Sequence, residues 1–248
     1  MAKHRTAQSY RRSAPKRVSS DVFLIVTEGK VTEPEYFKAL CAALNMSKVD
    51  VEVCQSEFGT DPLNIVAYAD KLKKDRFRQA KKSGMVVAYD QVWVVFDQEG
   101  PENGRNWQGG LDSARDRGFR VVFSNPSFEF WLLLHHEYTT ALFANSGAVE
   151  TRLKSKDSGY GKHAGQTDFA KTYLPETAKA ITNARRVRAD HAQTETRNPY
   201  TDADELVIHL SLAVREHNRI CPIKVEWIQK AKVAPQSVWK QQVKEFPW

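Results

Sequence analysis

Short apolar runs closed by acidic residues set the pattern of this chain. Val22-Phe23-Leu24-Ile25-Val26 leads into Thr27-Glu28-Gly29, and Val92-Trp93-Val94-Val95-Phe96 leads into Asp97-Gln98-Glu99-Gly100. Continuous apolar runs of this length, rich in β-branched residues and bounded by turn formers, predict strands buried on both faces. Residues 120–123 supply a third such run, while Val49, Val51 and Val53 alternate with polar neighbours as in a strand with one wet face. Between these runs the period changes to that of a helix. Tyr36, Phe37, Leu40, Ala43 and Leu44 follow Thr32-Glu33-Pro34-Glu35, which has the form of a capping box with Pro34 in the opening turn. Asp61-Pro62 opens a second helix with Ile65, Val66, Ala69 and Leu72 on its inner side. A third helix is predicted over 111–117, ending at Gly118, and Ser124-Asn125-Pro126 is placed to cap a fourth that carries Phe128, Trp131, Leu132 and Leu134. Strands alternating with helices predict an α/β fold with a mostly parallel sheet flanked by helices on both faces.

After about Tyr138 the pattern becomes helical. A Gly-, Lys- and Ser-rich loop over 155–165 precedes two helical stretches, 167–191 and 203–218, and Trp227, Trp239 and Trp248 read as packing anchors. The expected organisation is a disordered basic tail over 1–20, an α/β domain over 21–140 and a helical C-terminal region over 141–248 packed on it. A hydrophobic share of 41% and a charged share of 27% are those of a globular protein. No apolar run approaches the roughly 18 residues of a membrane span, and no apolar segment of a secretory signal accompanies the basic N-terminus. Three widely spaced cysteines suggest neither a disulfide frame nor a zinc cluster, so a reducing cytoplasm is the expected setting. The net charge of +7 is concentrated at one end: six of the 37 Lys and Arg residues lie in the first 20, which hold no acid, and the other 31 face 30 acidic residues. Such an arm either approaches phosphate backbones or serves as a solvated leader.

Candidate chemistry follows from where the acids fall. In an open α/β sheet, ligands bind at the carboxyl ends of the strands. Neighbouring strands would bring Glu28, Asp97 and Glu99 together there, where their mutual repulsion calls for a cation and their hard oxygens suit Mg²⁺ or Mn²⁺. Asp97 and Glu99, two residues apart in extended chain, would project to the same side. Glu129, in the first turn of the fourth helix, either favours the helix dipole or joins the site as a fourth acid. Lys162 and His163, in the Gly-rich loop, are placed either to steady a phosphate or to stand in solvent. Lys71, Lys73, Lys74, Arg76, Arg78, Lys81 and Lys82 form a dense basic stretch, read as a phosphate-binding face or a solvated helix end. Arg185, Arg186 and Arg188 invite the same two readings. The glycine-rich phosphate loop of nucleotide-binding ATPases is not in the sequence.

Three spaced segments resemble the RloB-like family: Ile25 to Phe37 (Ile-Val-Thr-Glu-Gly-Lys-Val-Thr-Glu-Pro-Glu-Tyr-Phe), Val92 to Glu99 (Val-Trp-Val-Val-Phe-Asp-Gln-Glu) and Ser124 to His135 (Ser-Asn-Pro-Ser-Phe-Glu-Phe-Trp-Leu-Leu-Leu-His). Asn198-Pro199-Tyr200-Thr201 resembles its later Asn-Pro segment, so the likeness covers about residues 21–215. That family is similar to the Toprim domains of topoisomerases, primases and related nucleases, which hold Mg²⁺ with a Glu after the first strand and an Asp-x-Asp after a later one. Glu28 matches the first, and Asp97 with Glu99 matches the second, with Glu in place of the final Asp. The resemblance implies a Toprim-like fold and a Mg²⁺-dependent nuclease that cleaves RNA or DNA, with RNA the favoured substrate. It also implies a role in anti-phage defence or abortive infection beside a partner AAA-type ATPase. On this reading Glu28, Asp97 and Glu99 hold the metal, Glu129 assists and Lys162 neutralises charge on the phosphate. The alternative is a non-catalytic subunit that binds the ATPase or nucleic acid.

Overall fold

Along the first buried run, Phe23 and Ile25 belong to one apolar core and Leu24 and Val26 to another. This is the period-2 alternation of a strand covered on both faces. The computed structural model describes residues 21–47, 50–99, 106–192 and 197–217. The tail over 1–20, Lys48, Val49, Gly100 and the tryptophans at 227, 239 and 248 lie outside them. The chain folds as β1 (Phe23–Thr27), α1 (Thr32–Ala43), β2 (Val51–Gln55), α2 (Pro62–Ser83), β3 (Gln91–Asp97), α3 (Trp107–Asp116), β4 (Arg120–Asn125) and α4 (Glu129–His136). Then come α5 (Ser146–Lys156), α6 (Phe169–Thr172), a single 3-10 turn (Leu174–Glu176), α7 (Thr177–Ala192), β5 (Tyr200–Thr201) and α8 (Ala203–His217).

The sheet runs β2-β1-β3-β4-β5, with the first four strands parallel and β5 antiparallel to β4. Helices α2 and α3 cover the face that carries Leu24, Val26, Val94 and Phe96. The other face, with Ile25, Trp93 and Val95, packs against α1, α4 and the helices that follow. The predicted α/β architecture with its C-terminal helical region is therefore present. Residues beyond 140 also complete the sheet through β5, a two-residue strand too short to announce itself as a periodic run. Among the described residues no helix is long and apolar enough to cross a membrane.

Four local expectations are corrected. The capping box at Thr32 does not form, because Thr32 is already helical and the residue before it, Val31, makes no side-chain cap. Helix α3 begins at Trp107 rather than 111, since the Asn106 side chain accepts the Gly109 amide. The stretch over 167–191 is not one helix: Pro175 cannot donate an intrahelical hydrogen bond, and α6, the 3-10 turn and α7 take its place. Ser124 and Asn125 end β4 and do not cap α4.

The arginines of α7 are structural. Arg188 places its guanidinium on the fully buried Asp204 carboxylate with bonds of 2.6 and 2.7 Å, and donates to the Thr201 carbonyl at 2.7 Å. This fork fastens α7 to β5 and α8, so Arg188 is no phosphate ligand. Arg186 lies over the Tyr138 ring at 3.9 Å on the exposed side. Removing one partner of a buried ion pair leaves the other charge uncompensated. Arg188→Met is therefore expected to lower the unfolding free energy in urea by about 3–5 kcal/mol, whereas Arg186→Met lowers it by about 1 kcal/mol or less.

Candidate functional site

The parallel register sets Thr27 of β1 beside Val95 of β3, and Asp97 beside Ser124 of β4. One residue past β1, the Glu28 amide still donates to the Val95 carbonyl at 2.9 Å, so Glu28 leaves the sheet at its carboxyl edge next to the end of β3. There the Asp97 amide donates to Glu28 Oε2 at 3.1 Å. Asp97 Oδ2 in turn accepts the Phe128 amide at 3.0 Å, taking the position at the start of α4 that Ser124 and Asn125 leave unfilled. Asp97 thus ties β3 to α4. Its other oxygen, Oδ1, is buried without a hydrogen-bond partner.

Two further acids close the cluster. The glycine after Glu28 admits Glu33, whose Oε1 accepts the Gly29 amide at 3.1 Å. A Cβ on Gly29 would lie 2.0 Å from Glu33 Oε2, so a larger residue here would displace the Glu33 carboxyl from the Gly29 amide. Glu129, buried in the first turn of α4, accepts the Tyr160 hydroxyl at 2.8 Å and the Lys162 ammonium at 2.9 Å on the same oxygen, Oε1. Lys162 also reaches Glu150 Oε2 at 3.1 Å, and the Tyr160 hydroxyl exchanges a longer hydrogen bond with Thr32. The loop that carries Tyr160 and Lys162 is pinned to α1, where the Gly165 amide donates to both oxygens of Glu35. That contact, and no capping role, accounts for Glu35.

The electrostatics follow from burial and crowding. Burial pushes the Glu33 carboxyl up from 4.5 to about 7, with Glu129 and Glu28 adding to the rise. Burial also holds Asp97 well above the usual carboxylate range, and Glu33, Glu28 and Glu129 push the same way against the opposing Phe128 amide. For Lys162 burial alone would favour the neutral amine, but Glu129 and Glu150 more than reverse it and raise its pKa. Among the described residues the edge gathers four buried carboxyls with the Lys162 ammonium at its rim.

The predicted site residues divide accordingly. Glu28, Asp97 and Glu129 meet, and Lys162 joins them through Glu129. Glu99 is placed differently: it adopts a left-handed backbone with φ of 59° as its amide reaches the Pro126 carbonyl at 2.8 Å. The backbone is therefore not extended at Glu99, so the extended run expected to carry both acids ends at Asp97. The sequence puts Glu33 close to Glu28 and Tyr160 in the Gly-rich loop but assigns neither a role in the site. A second acid five residues after Glu28, at the start of a helix facing the same edge, was the available signal for Glu33. His163 is exposed.

A metal fits this cluster by its donors: hard carboxylate oxygens, an unpartnered buried Asp97 Oδ1, and acids that repel one another. Among the described residues no three His, Cys, Asp or Glu side chains already stand in ligating positions. Residues 23–210 match the family model described as RloB-like protein. The chain belongs to the RloB-like family. No curated protein and no solved structure matches this RloB-like chain.

Because the Glu33 carboxyl binds its proton more tightly folded than unfolded, its contribution to stability is largest below about 4.5 and falls as the pH rises through about 7. The cost of ionising it in place is at most about 3 kcal/mol. Glu33→Gln keeps an acceptor for Gly29 and removes that cost. Thermal melts are expected to show the variant more stable than wild type at pH 8.5, with the difference vanishing near pH 4.5.

Proposed function

We propose that this RloB-like protein is a Mg²⁺-dependent nuclease that hydrolyses phosphodiesters of RNA or DNA, working in anti-phage defence with a partner ATPase. The observation that carries the reading is the direct link between Glu28 and Asp97, two buried acids from adjacent strand ends, with Glu33 and Glu129 crowding the same edge. Glu28 and Asp97 would hold the ion, with Glu99 and Glu129 as further oxygen donors. When bound by these acids, a divalent ion would supply Lewis-acid polarisation of the phosphate and a lower pKa for the attacking water. The remaining work falls to the chain itself. Lys162 offers positive charge to the non-bridging phosphate oxygens, and Glu129 and Glu150 aim its ammonium. Glu33, poised near neutrality, is suited to take the proton of the attacking water. As the water oxygen bonds to phosphorus, the ester P–O bond opens, the leaving oxygen takes a proton from solvent, and Glu33 returns its own proton to solvent.

The same edge supports a second reading. Lys162 already pairs with Glu129, and among the described residues no three acids stand ready as ligands, which suits a subunit that binds the ATPase or nucleic acid without cutting it. One experiment separates the two: Mg²⁺-dependent cleavage of labelled RNA and DNA by wild type, Glu28→Gln and Asp97→Asn, each with and without the partner ATPase. Both variants are expected to lose at least about 100-fold in cleavage rate. Equal cleavage by all three proteins eliminates the site.

A further inference from the structure

Helix α2 carries a surface that the carboxylate edge does not use. Its inner side buries Ile65, Val66, Tyr68 and Ala69, whereas Lys71, Lys74, Phe77, Arg78, Lys81 and Lys82 are exposed. These six recur at spacings of three and four residues, so they share one side of the helix. Lys74 pairs with Asp70 and Arg78 with Asp75 along the helix. Lys71 lies over the rings of Phe58 and Tyr68 at 5.6 and 5.7 Å, Lys81 lies 4.6 Å from the centre of the Phe77 ring, and among the described residues neither is paired with a carboxylate. Phe77 itself is 49% exposed, and Met85, just past the helix end, is 88% exposed. A helix end that only complemented its own dipole would need one or two cations in its last turn and no solvated aromatic ring beside them.

We infer that this side of α2 binds a single-stranded polynucleotide, its cations tracking the phosphates and Phe77 giving a platform for an unpaired base. The inference rests on the polynucleotide reading of the carboxylate edge and adds the path by which a long substrate lies on the protein. Pro62, the first residue of α2, packs beside Phe96 at the carboxyl edge of the sheet, where a Cβ on Gly110 would touch both. With a rise of ~1.5 Å per residue, Lys74 to Lys82 lie roughly 18–30 Å further along the helix axis. A strand that reaches both places runs the length of α2, so the surface favours long substrates over short ones.

Binding of fluorescein-labelled 30-nucleotide single-stranded RNA and DNA is measured by anisotropy, in EDTA and across a salt series, so that cleavage plays no part. The proteins are the full chain, the triple variant Lys71→Gln/Lys81→Gln/Lys82→Gln, and Phe77→Ala. All the altered side chains are exposed, and a melting curve checks that each protein folds. The triple variant is expected to bind about tenfold or more weakly near 100 mM salt, with its log–log salt slope smaller by about 2. Phe77→Ala is expected to weaken binding at least about fivefold. The six cations of residues 1–20 are common to all three proteins, so the difference in slope isolates α2. The RNA and DNA arms show which strand is preferred. Unchanged affinity and slope in the triple variant overturn the inference, as does polyglutamate competing with RNA equally well per charge, which would assign the surface to an acidic protein. Either result leaves the nuclease reading to its own cleavage test. Loss of cleavage in Glu28→Gln, conversely, has no bearing on binding in EDTA.

Discussion

Packing four carboxylates into the buried edge of one sheet is the constraint around which this protein is arranged. Glu28, Glu33, Asp97 and Glu129 come from two strand ends and two helix starts, and each is almost removed from water. Burial and mutual repulsion together would scatter or neutralise them. Glu33 and Asp97 hold their protons more tightly than free carboxyls, and three of the four are fixed by backbone amides aimed at their oxygens: Asp97 to Glu28, Phe128 to Asp97 and Gly29 to Glu33. The start of α4 does double service, since its first free amide is satisfied by an acid that belongs to the site.

The second support comes from the C-terminal half. Tyr160 and Lys162 both land on one oxygen of Glu129, and the loop that bears them is fastened to α1 at Glu35. A loop rich in glycine and lysine thus supplies the only ammonium that the described contacts bring to the acids. The helical region is accordingly part of the site, and the buried Arg188–Asp204 fork fastens α7 to α8 within it. Charge is distributed unevenly as a result. The carboxyl edge of the sheet gathers acids, and the outward side of α2 gathers cations.

Much of the fold was legible in the residues alone. Strands buried on both faces require long apolar runs, and such runs do not depend on what packs against them, so β1, β3 and β4 were readable together with the parallel sheet they imply. The Asp61-Pro62 start of α2 was readable because its cap lies within a few residues of sequence. The acids that follow β1 and β3 were readable for a similar reason, since the carboxyl ends of parallel strands must share one edge.

Tertiary structure decided the rest. Whether Thr32 caps a helix or faces Tyr160, and whether Glu35 stays local or reaches Gly165, depends on chain more than 120 residues away. The left-handed turn at Glu99 accompanies its amide meeting the carbonyl of Pro126, just past β4, a contact that no local pattern encodes. Arginines of α7 looked like surface cations until the fold brought Asp204 beneath them. Sequence by itself determined which residues are apolar, which are charged and with what period. Which charges meet is settled only when distant segments share a boundary with water excluded, because there the energy of a charge depends on its neighbours more than on its own chemistry.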